Sequence, residues 1–267
     1  MKGKLAGPVN TAVNAAAVLA ALLLLWQALI WTLKIPAYML PSPRAVTHAL
    51  VARSPALFGS FLITAMAAAG GLAASVVLGV MVALVFAQSR WLRRMLLPYT
   101  ILLQTVPIVA VAPLIIMWVG AGRFSVTLIT FIICLAPIIA NTTQGLISVD
   151  ENMVNLFLMQ NASAGQVLWK LRLPHALPSL FTGIRIASGI SVIGAITGEL
   201  FAGSSAVGQG GLGYSITYAQ AQMQTDYLFA LVFAATILGF VFFFLVMFLE
   251  YYFLHEWHES ARSVETQ

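Results

Sequence analysis

The chain has 267 residues, 61% of them hydrophobic and only 8% charged, where a soluble domain carries roughly 45–50% apolar and about 25% charged residues. No water-soluble fold hides that much apolar surface; at about 20 apolar residues per bilayer-spanning helix, the chain divides into about six such stretches and leaves no room for a separate soluble domain. Its thirteen Lys and Arg give a formal net charge of +5, but they form no patch or run, which argues against a nucleic-acid partner and for topology signalling in a lipid bilayer.

Lys2 and Lys4 precede an apolar stretch over residues 11–33. It exceeds the 7–15 residues of a secretory signal core and reads as an uncleaved anchor. Prolines at 36, 41 and 43 punctuate a structured external connection, since each removes a helix donor. A long second span follows over residues 57–87, with Gly70-Gly71 near its centre. After a short basic loop at residues 88–94, a third span over 95–118 carries Pro98, Pro107 and Pro113. A fourth, over 124–147, contains Pro137 and the single cysteine, Cys134, which excludes an internal disulfide and a cysteine metal site.

A polar interval from 148 to 175 precedes a fifth span over 177–202. A glycine- and serine-rich stretch at 203–213 and a sixth span over 227–253 complete the series. The chain thus divides into an anchor and external connection (1–56), a membrane domain (57–254) and a cytoplasmic tail (255–267). With both termini inside, nine basic residues fall on internal segments (Lys2, Lys4, Arg90, Arg93, Arg94, Lys170, Arg172, Arg185, Arg262) and four outside (Lys34, Arg44, Arg53, Arg123). That is the positive-inside pattern of a multi-pass inner-membrane protein.

The internal polar interval reads as two short helices, 153–160 and 164–171, joined at Asn161. Asn tolerates the left-handed conformation that closes a helix, and Ser163 with Gln166 has capping-box spacing. Val167, Leu168 and Leu171 share one apolar face, and the helix is expected to stop at Leu173-Pro174, presenting an amphipathic knob to the cytoplasm. Without further information an interfacial helix pair is an equal reading.

The segment Asn161-Ala-Ser-Ala-Gly-Gln-Val-Leu-Trp-Lys-Leu-Arg-Leu-Pro-His-Ala-Leu-Pro178 resembles the EAA loop of binding-protein-dependent ABC importer permeases. Leu40-Pro-Ser-Pro43, Pro107-Ile-Val-Ala-Val-Ala-Pro-Leu114 with Trp118, and Gly198-Glu-Leu-Phe-Ala-Gly203 followed by Gly211-Leu-Gly213 extend the likeness over most of the chain, toward the nitrate, sulfonate, taurine and vitamin-precursor branch. The family's alanine pair falls at Leu156-Phe157 and its usual glycine at Asn161. The resemblance implies an all-α membrane fold of the type I importer class with a cytoplasmic coupling helix. It further implies contact with the ATPase through Leu156, Phe157, Asn161, Ala162, Ser163, Ala164, Gly165, Leu168, Leu173 and Pro174. The implied partners are two copies of an ATP-binding subunit, an external or periplasmic solute-binding protein and a second permease copy. ATP and Mg would sit on the ATPase, with no cofactor on this chain.

Candidates for a passage or gate are Gln104, Thr105, Pro107, Asn141 and Glu199. Uncharged polar residues there, including Thr142, Thr143 and Gln144, either line a path or bond between helices, and Pro107, Pro113 and Pro137 bend their spans. Glu199, near the external end of the fifth span, either packs a gate or meets solute, and Arg185 is expected to snorkel to the interface. Gly70, Gly71, Gly79, Gly183, Gly189 and Gly194 suit close helix packing. A secondary carrier or channel is the alternative; it predicts coupling acids deep in several spans, where only Glu199 stands out. No phosphate-binding glycine loop, paired-histidine metal helix or serine elbow is present in the sequence, so neither ATP hydrolysis nor a metal site is expected of this chain.

Overall fold

A computed structural model describes residues 8–203 and 210–262, which are helical with no strand among them. Lys2, Lys4, the middle of the glycine–serine stretch (204–209) and the end of the tail (263–267) lie outside the described residues. The helices are α1 (Pro8–Leu33), α2 (Pro43–Ala52), α3 (Ser54–Gln88), α4 (Arg90–Leu102), α5 (Ile108–Val119), α6 (Arg123–Ile147), α7 (Glu151–Met159), α8 (Ala164–Val167), α9 (Leu173–Ala202), α10 (Leu212–Ala221) and α11 (Thr225–Arg262). α11 therefore runs past the expected end of the sixth span at 253 and through most of the segment read as a tail.

Among the described residues four stretches are long and apolar enough to cross a bilayer: Ser54–Gln88, Arg123–Ile147, Ala164–Ala202 and Thr225–Leu254. A fifth exists if Arg90–Thr105 and Ile108–Val119, bent by 99°, count as one span. In α1 the apolar part is the shorter Ala17–Leu33. The expected total of about six thus comes down to four or five by this measure.

The third span is not a single rod. Its first half starts at Arg90, because Ser89 alone links it to α3 and caps it, accepting from Leu92 N–H at 3.3 Å. Its second half turns away at Pro107, which has no N–H to continue the ladder. Val106, forced extended by the following ring (φ −69°, ψ 121°), ends the 3₁₀ turn of Leu103–Thr105. Pro98, Pro113 and Pro137 instead lie within continuous helices.

α3, α6 and α9 form the central layer, and small residues bring their backbones together. Thr130 of α6 is wedged between two glycines: a Cβ on Gly71 of α3 would lie 2.5 Å from its Cβ, and one on Gly194 of α9 would lie 3.2 Å from its Cα. Bilayer-embedded helices gain their association from such close packing rather than from water exclusion. Gly189 takes no part, having nothing within 4 Å of its added Cβ. Ser75 of α3 donates to the Phe131 carbonyl of α6 at 2.8 Å, and Cys134 of α6 donates to the Ala187 carbonyl of α9 at 3.4 Å.

The outer layer is held at the end of the bundle where α2 and the start of α11 meet. Ser42 caps α2, accepting from Ala45 N–H at 3.2 Å, with Pro43 in the first turn where its missing donor costs nothing. The proline connection rests on the start of α11: Thr225 donates to the Tyr38 carbonyl at 2.9 Å, and the Arg53 guanidinium lies 4.6 Å from the Tyr227 ring centre while it donates to Gln224. α1 docks on α11 through Trp26, stacked 6.2 Å from Phe233. The leucines around the rest of α1 are exposed, as a lipid-facing helix requires.

Candidate functional site

The loop between α6 and α9 is built by local rules that leave it little slack. Asp150 caps α7 by accepting from Asn152 N–H at 2.8 Å. At the other end Asn161 adopts φ +58°. Asn161 N–H donates to the Leu158 carbonyl at 3.0 Å and Ala162 N–H to the Phe157 carbonyl at 3.1 Å. Those two bonds make a complete Schellman closure, with asparagine where glycine usually sits. Immediately after it, Gln166 N–H donates to Ser163 Oγ at 3.3 Å and Ser163 N–H donates to Gln166 Oε1 at 2.7 Å, a reciprocal capping box. Helix, turn and helix are therefore joined with each backbone N–H from Gln160 to Ser163 bonded locally.

The second helix does not stop at Leu173-Pro174. α8 passes through a π-helical stretch, Leu168–Arg172, in which Leu173 N–H reaches back five residues to the Leu168 carbonyl. It then continues as α9, so Ala164–Ala202 is one 39-residue helical run. A widened turn relieves the clash between a proline ring and the carbonyl four residues earlier, which lets Pro174 sit inside the run. At 1.5 Å per residue the run is about 58 Å long, against about 30 Å of hydrocarbon, so its first turns project beyond the bilayer core.

The knob also faces differently from the sequence expectation. Val167 and Leu168 are only 5% and 8% exposed, and Leu168 packs on Ala83 and Ala87 of α3 and Leu146 of α6. Leu168 therefore seats the helix on its own chain, and Leu173 packs against the same cluster. The outward apolar surface includes Leu156, Met159 and Trp169, at 51%, 82% and 64% exposure, around exposed Asn161, Ser163, Ala164 and Gly165. Phe157, Ala162 and Pro174 are half-buried. Met159 and Trp169 fall inside the candidate stretch 156–173 without being named individually; the usable signal was large apolar residues in an otherwise polar interval. Arg172 donates to the Ala87 carbonyl at 3.2 Å, fastening the base of the knob to the end of α3.

At the opposite end of α9, Glu199 is 4% exposed. Both its carboxylate oxygens lie 2.9 Å from Thr64 Oγ1 of α3, which donates to them. Gly213 N–H donates to Oε2 at 2.8 Å, and Leu212 N–H donates to Thr64 Oγ1 at 2.8 Å. Gly211 is the N-cap of α10, so the carboxylate supplies, from another helix, the negative charge that a helix N-terminus favours. The approach needs glycine: a Cβ at Gly211 would lie 2.0 Å from Glu199 Oε1, and one at Gly213 would lie 2.4 Å from the Ile196 carbonyl. Ser60 and Ser215 hydroxyls, 2.8 Å apart, add a second tie between α3 and α10. Beside this latch is a cavity of about 210 Å³ lined in part by Glu199, Arg123, Gly203 and Gly211.

The remaining pathway candidates do not gather around Glu199. Gln104, Thr105 and Pro107 are exposed at the α4–α5 elbow, where Thr105 donates to its own helix at Leu102. Asn141 donates to the Pro137 carbonyl at 2.8 Å and packs on Gly183 of α9, about 24 Å along that helix from Glu199. Thr142 and Thr143 are buried with hydroxyls that have no partner among the described residues, so of the two uses open to them the interhelical bond is not the one seen. Arg185 pairs with Glu250 of α11, the one ion pair among the described residues.

Residues 75–257 match the family described as the binding-protein-dependent transport system inner membrane component. A probable ABC transporter permease protein of Haemophilus influenzae is 35% identical over 209 residues, 78% of this chain and 83% of that protein. The riboflavin transport system permease protein RibX of Chloroflexus aurantiacus is 34% identical over 78% of this chain and 76% of its own length. The formylaminopyrimidine transport permease protein ThiX of Halalkalibacterium halodurans is 33% identical over 76% and 79%.

Proposed function

The chain belongs to the family of binding-protein-dependent transport system inner membrane components, and on that premise we propose that the knob at Asn161–Gln166 is where a cytoplasmic ATPase engages it. The chain is a permease subunit of an ABC importer in the inner membrane, and ATP is hydrolysed by a separate subunit. The observation that carries the coupling proposal is the doubly closed turn, set with exposed Leu156, Met159 and Trp169, on a single helical run that carries Glu199 in its last turn. A turn without slack passes displacement into the helix that bears it.

In this reading two copies of the chain form the passage, each engaging one ATPase that holds ATP and Mg. Both termini face the cytoplasm, as the distribution of basic residues favours. An external binding protein delivers the solute, drawn from the classes that the relatives' names give: aliphatic sulfonates, taurine, nitrate, formylaminopyrimidine and riboflavin.

The test is affinity purification of the chain co-expressed with the ATPase of its own system. Trp169→Asp is expected to abolish co-purification while the permease stays in the membrane and elutes normally in mild detergent. Leu168→Asp is expected to lower permease stability instead, because that side chain is buried in its own fold. Full ATPase recovery with the Trp169 variant refutes the docking surface.

A further inference from the structure

At the end of the bilayer that carries the knob, a cavity of about 460 Å³ opens between the α3–α4 junction, the end of α6 and α7. Arg90 and Arg93 from α4 and Arg172 from the π-helical stretch line it, with Glu151, Asn155 and Ile147. Three cationic side chains from two distant parts of the chain thus meet one carboxylate. Glu151 neutralises none of them at contact distance, since Arg185–Glu250 is the one ion pair among the described residues.

The depth of the cavity is fixed by the elements around it. α3 ends its apolar run at Gln88 and α6 ends at Ile147, so the cavity that the three arginines line, with Arg172 held to the Ala87 carbonyl at its edge, lies where the helices leave the hydrocarbon. Trp91, between two of the arginines, is 67% exposed, which suits the interfacial zone favoured by indole rings. Guanidinium forks match phosphate oxygens in bidentate geometry, and basic pockets between membrane helices suit anionic lipid headgroups. Topology signalling alone asks only for basic residues near a span; it does not require Arg172 to converge with Arg90 and Arg93. Arg94, the next basic residue along, is exposed and does not line the cavity.

We propose that this cavity holds the phosphate headgroup of an anionic phospholipid, through Arg90, Arg93 and Arg172. The inference requires only that the chain is embedded in a bilayer and is independent of the transport reading.

The experiment uses the full chain, purified and stripped of lipid in mild detergent, titrated with dioleoylphosphatidylglycerol, dioleoylphosphatidylcholine or inorganic phosphate, with bound lipid counted by native mass spectrometry. Arg93→Gln is compared with Arg94→Gln, which removes the same charge one residue away and outside the cavity. Arg90→Gln serves as a second cavity variant if the first elutes as aggregate. The expected result is preferential retention of phosphatidylglycerol, about fivefold weaker retention with the cavity variant and a change within about twofold for Arg94→Gln. Equal retention of the two lipids overturns the proposal, as does equal loss with Arg93→Gln and Arg94→Gln. Displacement of phosphatidylglycerol by an equal concentration of phosphate would make this a free-anion site. Loss of the co-expressed ATPase from Arg93→Gln with lipid retention unchanged would make the cavity a protein contact; either result overturns it.

Discussion

Replacing Glu199 separates a structural latch from a bystander. Alanine at this position leaves Gly213 N–H without its acceptor, at a cost of about 1–3 kcal/mol for an orphaned buried donor. It also removes the Thr64 hydroxyl's bond to a charged group, about 1.5–3 kcal/mol, and the negative charge facing the start of α10, about 0.3–1 kcal/mol. Relief from burying a carboxylate offsets part of this, so a net loss of about 3 kcal/mol is expected for Glu199→Ala. Glutamine keeps one oxygen for Gly213 or Thr64 and loses about 1 kcal/mol. For a domain of this size about 1 kcal/mol moves Tm by roughly 2–4 °C, which places the alanine variant about 6–12 °C below wild type and the glutamine variant a few degrees below. The assay is thermal unfolding of the purified permease in mild detergent, with Ser60→Ala for comparison, since it removes only the neighbouring serine pair. A Glu199→Ala variant as stable as wild type would refute the assignment of the carboxylate as the tie between α3, α9 and α10.

Asn161→Gly should leave knob stability and ATPase co-purification within about twofold of wild type, because glycine adopts φ +58° freely. Asn161→Ala should weaken co-purification about fivefold or more, since a left-handed alanine costs roughly 1–2 kcal/mol; equal behaviour of the two variants would refute the claim that the turn geometry matters. For the Arg185–Glu250 pair, whose side chains are partly exposed, either single change to leucine should lower thermal stability by about 1 kcal/mol, and the double change should cost less than the two single changes together, as read by Tm of the three proteins.

What was legible in the sequence was what local chemistry decides. Asn161 and the Ser163–Gln166 pair act within six residues, and both behave as their side chains dictate. Pro107 was legible as a bend, though the 99° angle was not, because the angle depends on where α5 finds packing against α6 and α9. Pro174 was read as a stop since the rule for proline assumes an α-helical ladder; the π-helical turn before it changes which carbonyl the ring must avoid. The stripe of Val167 and Leu168 marked an apolar face correctly but could not say that α3 and α6 occupy it. Thr64 with Glu199 and Arg185 with Glu250 are 135 and 65 residues apart, with no periodic signal to connect them.

These long-range ties give the proposed coupling its physical content. Ser163 and Glu199 stand at opposite ends of one helical run, about 54 Å apart by helical rise. Between them Gly183 and Gly194 press α9 onto α6 so closely that sliding would drive backbone into side chains, so tilting or rotation is the motion left to the pair. A tilt begun at the knob would therefore arrive at the far end of the run as displacement of the Glu199 carboxylate from Thr64 and Gly213. Those bonds hold α10, so the start of α10 is the element that such a tilt would release first. The π-helical turn at Leu168–Arg172 is the weakest part of the run, and Arg172 bonds it to the end of α3. Bending there would absorb the displacement before it reached the latch. Arg172→Gln should accordingly reduce solute transport per ATP hydrolysed more than it reduces ATPase co-purification, measured in proteoliposomes with the complete importer; unchanged stoichiometry would exclude the α8–α9 run as the route of coupling.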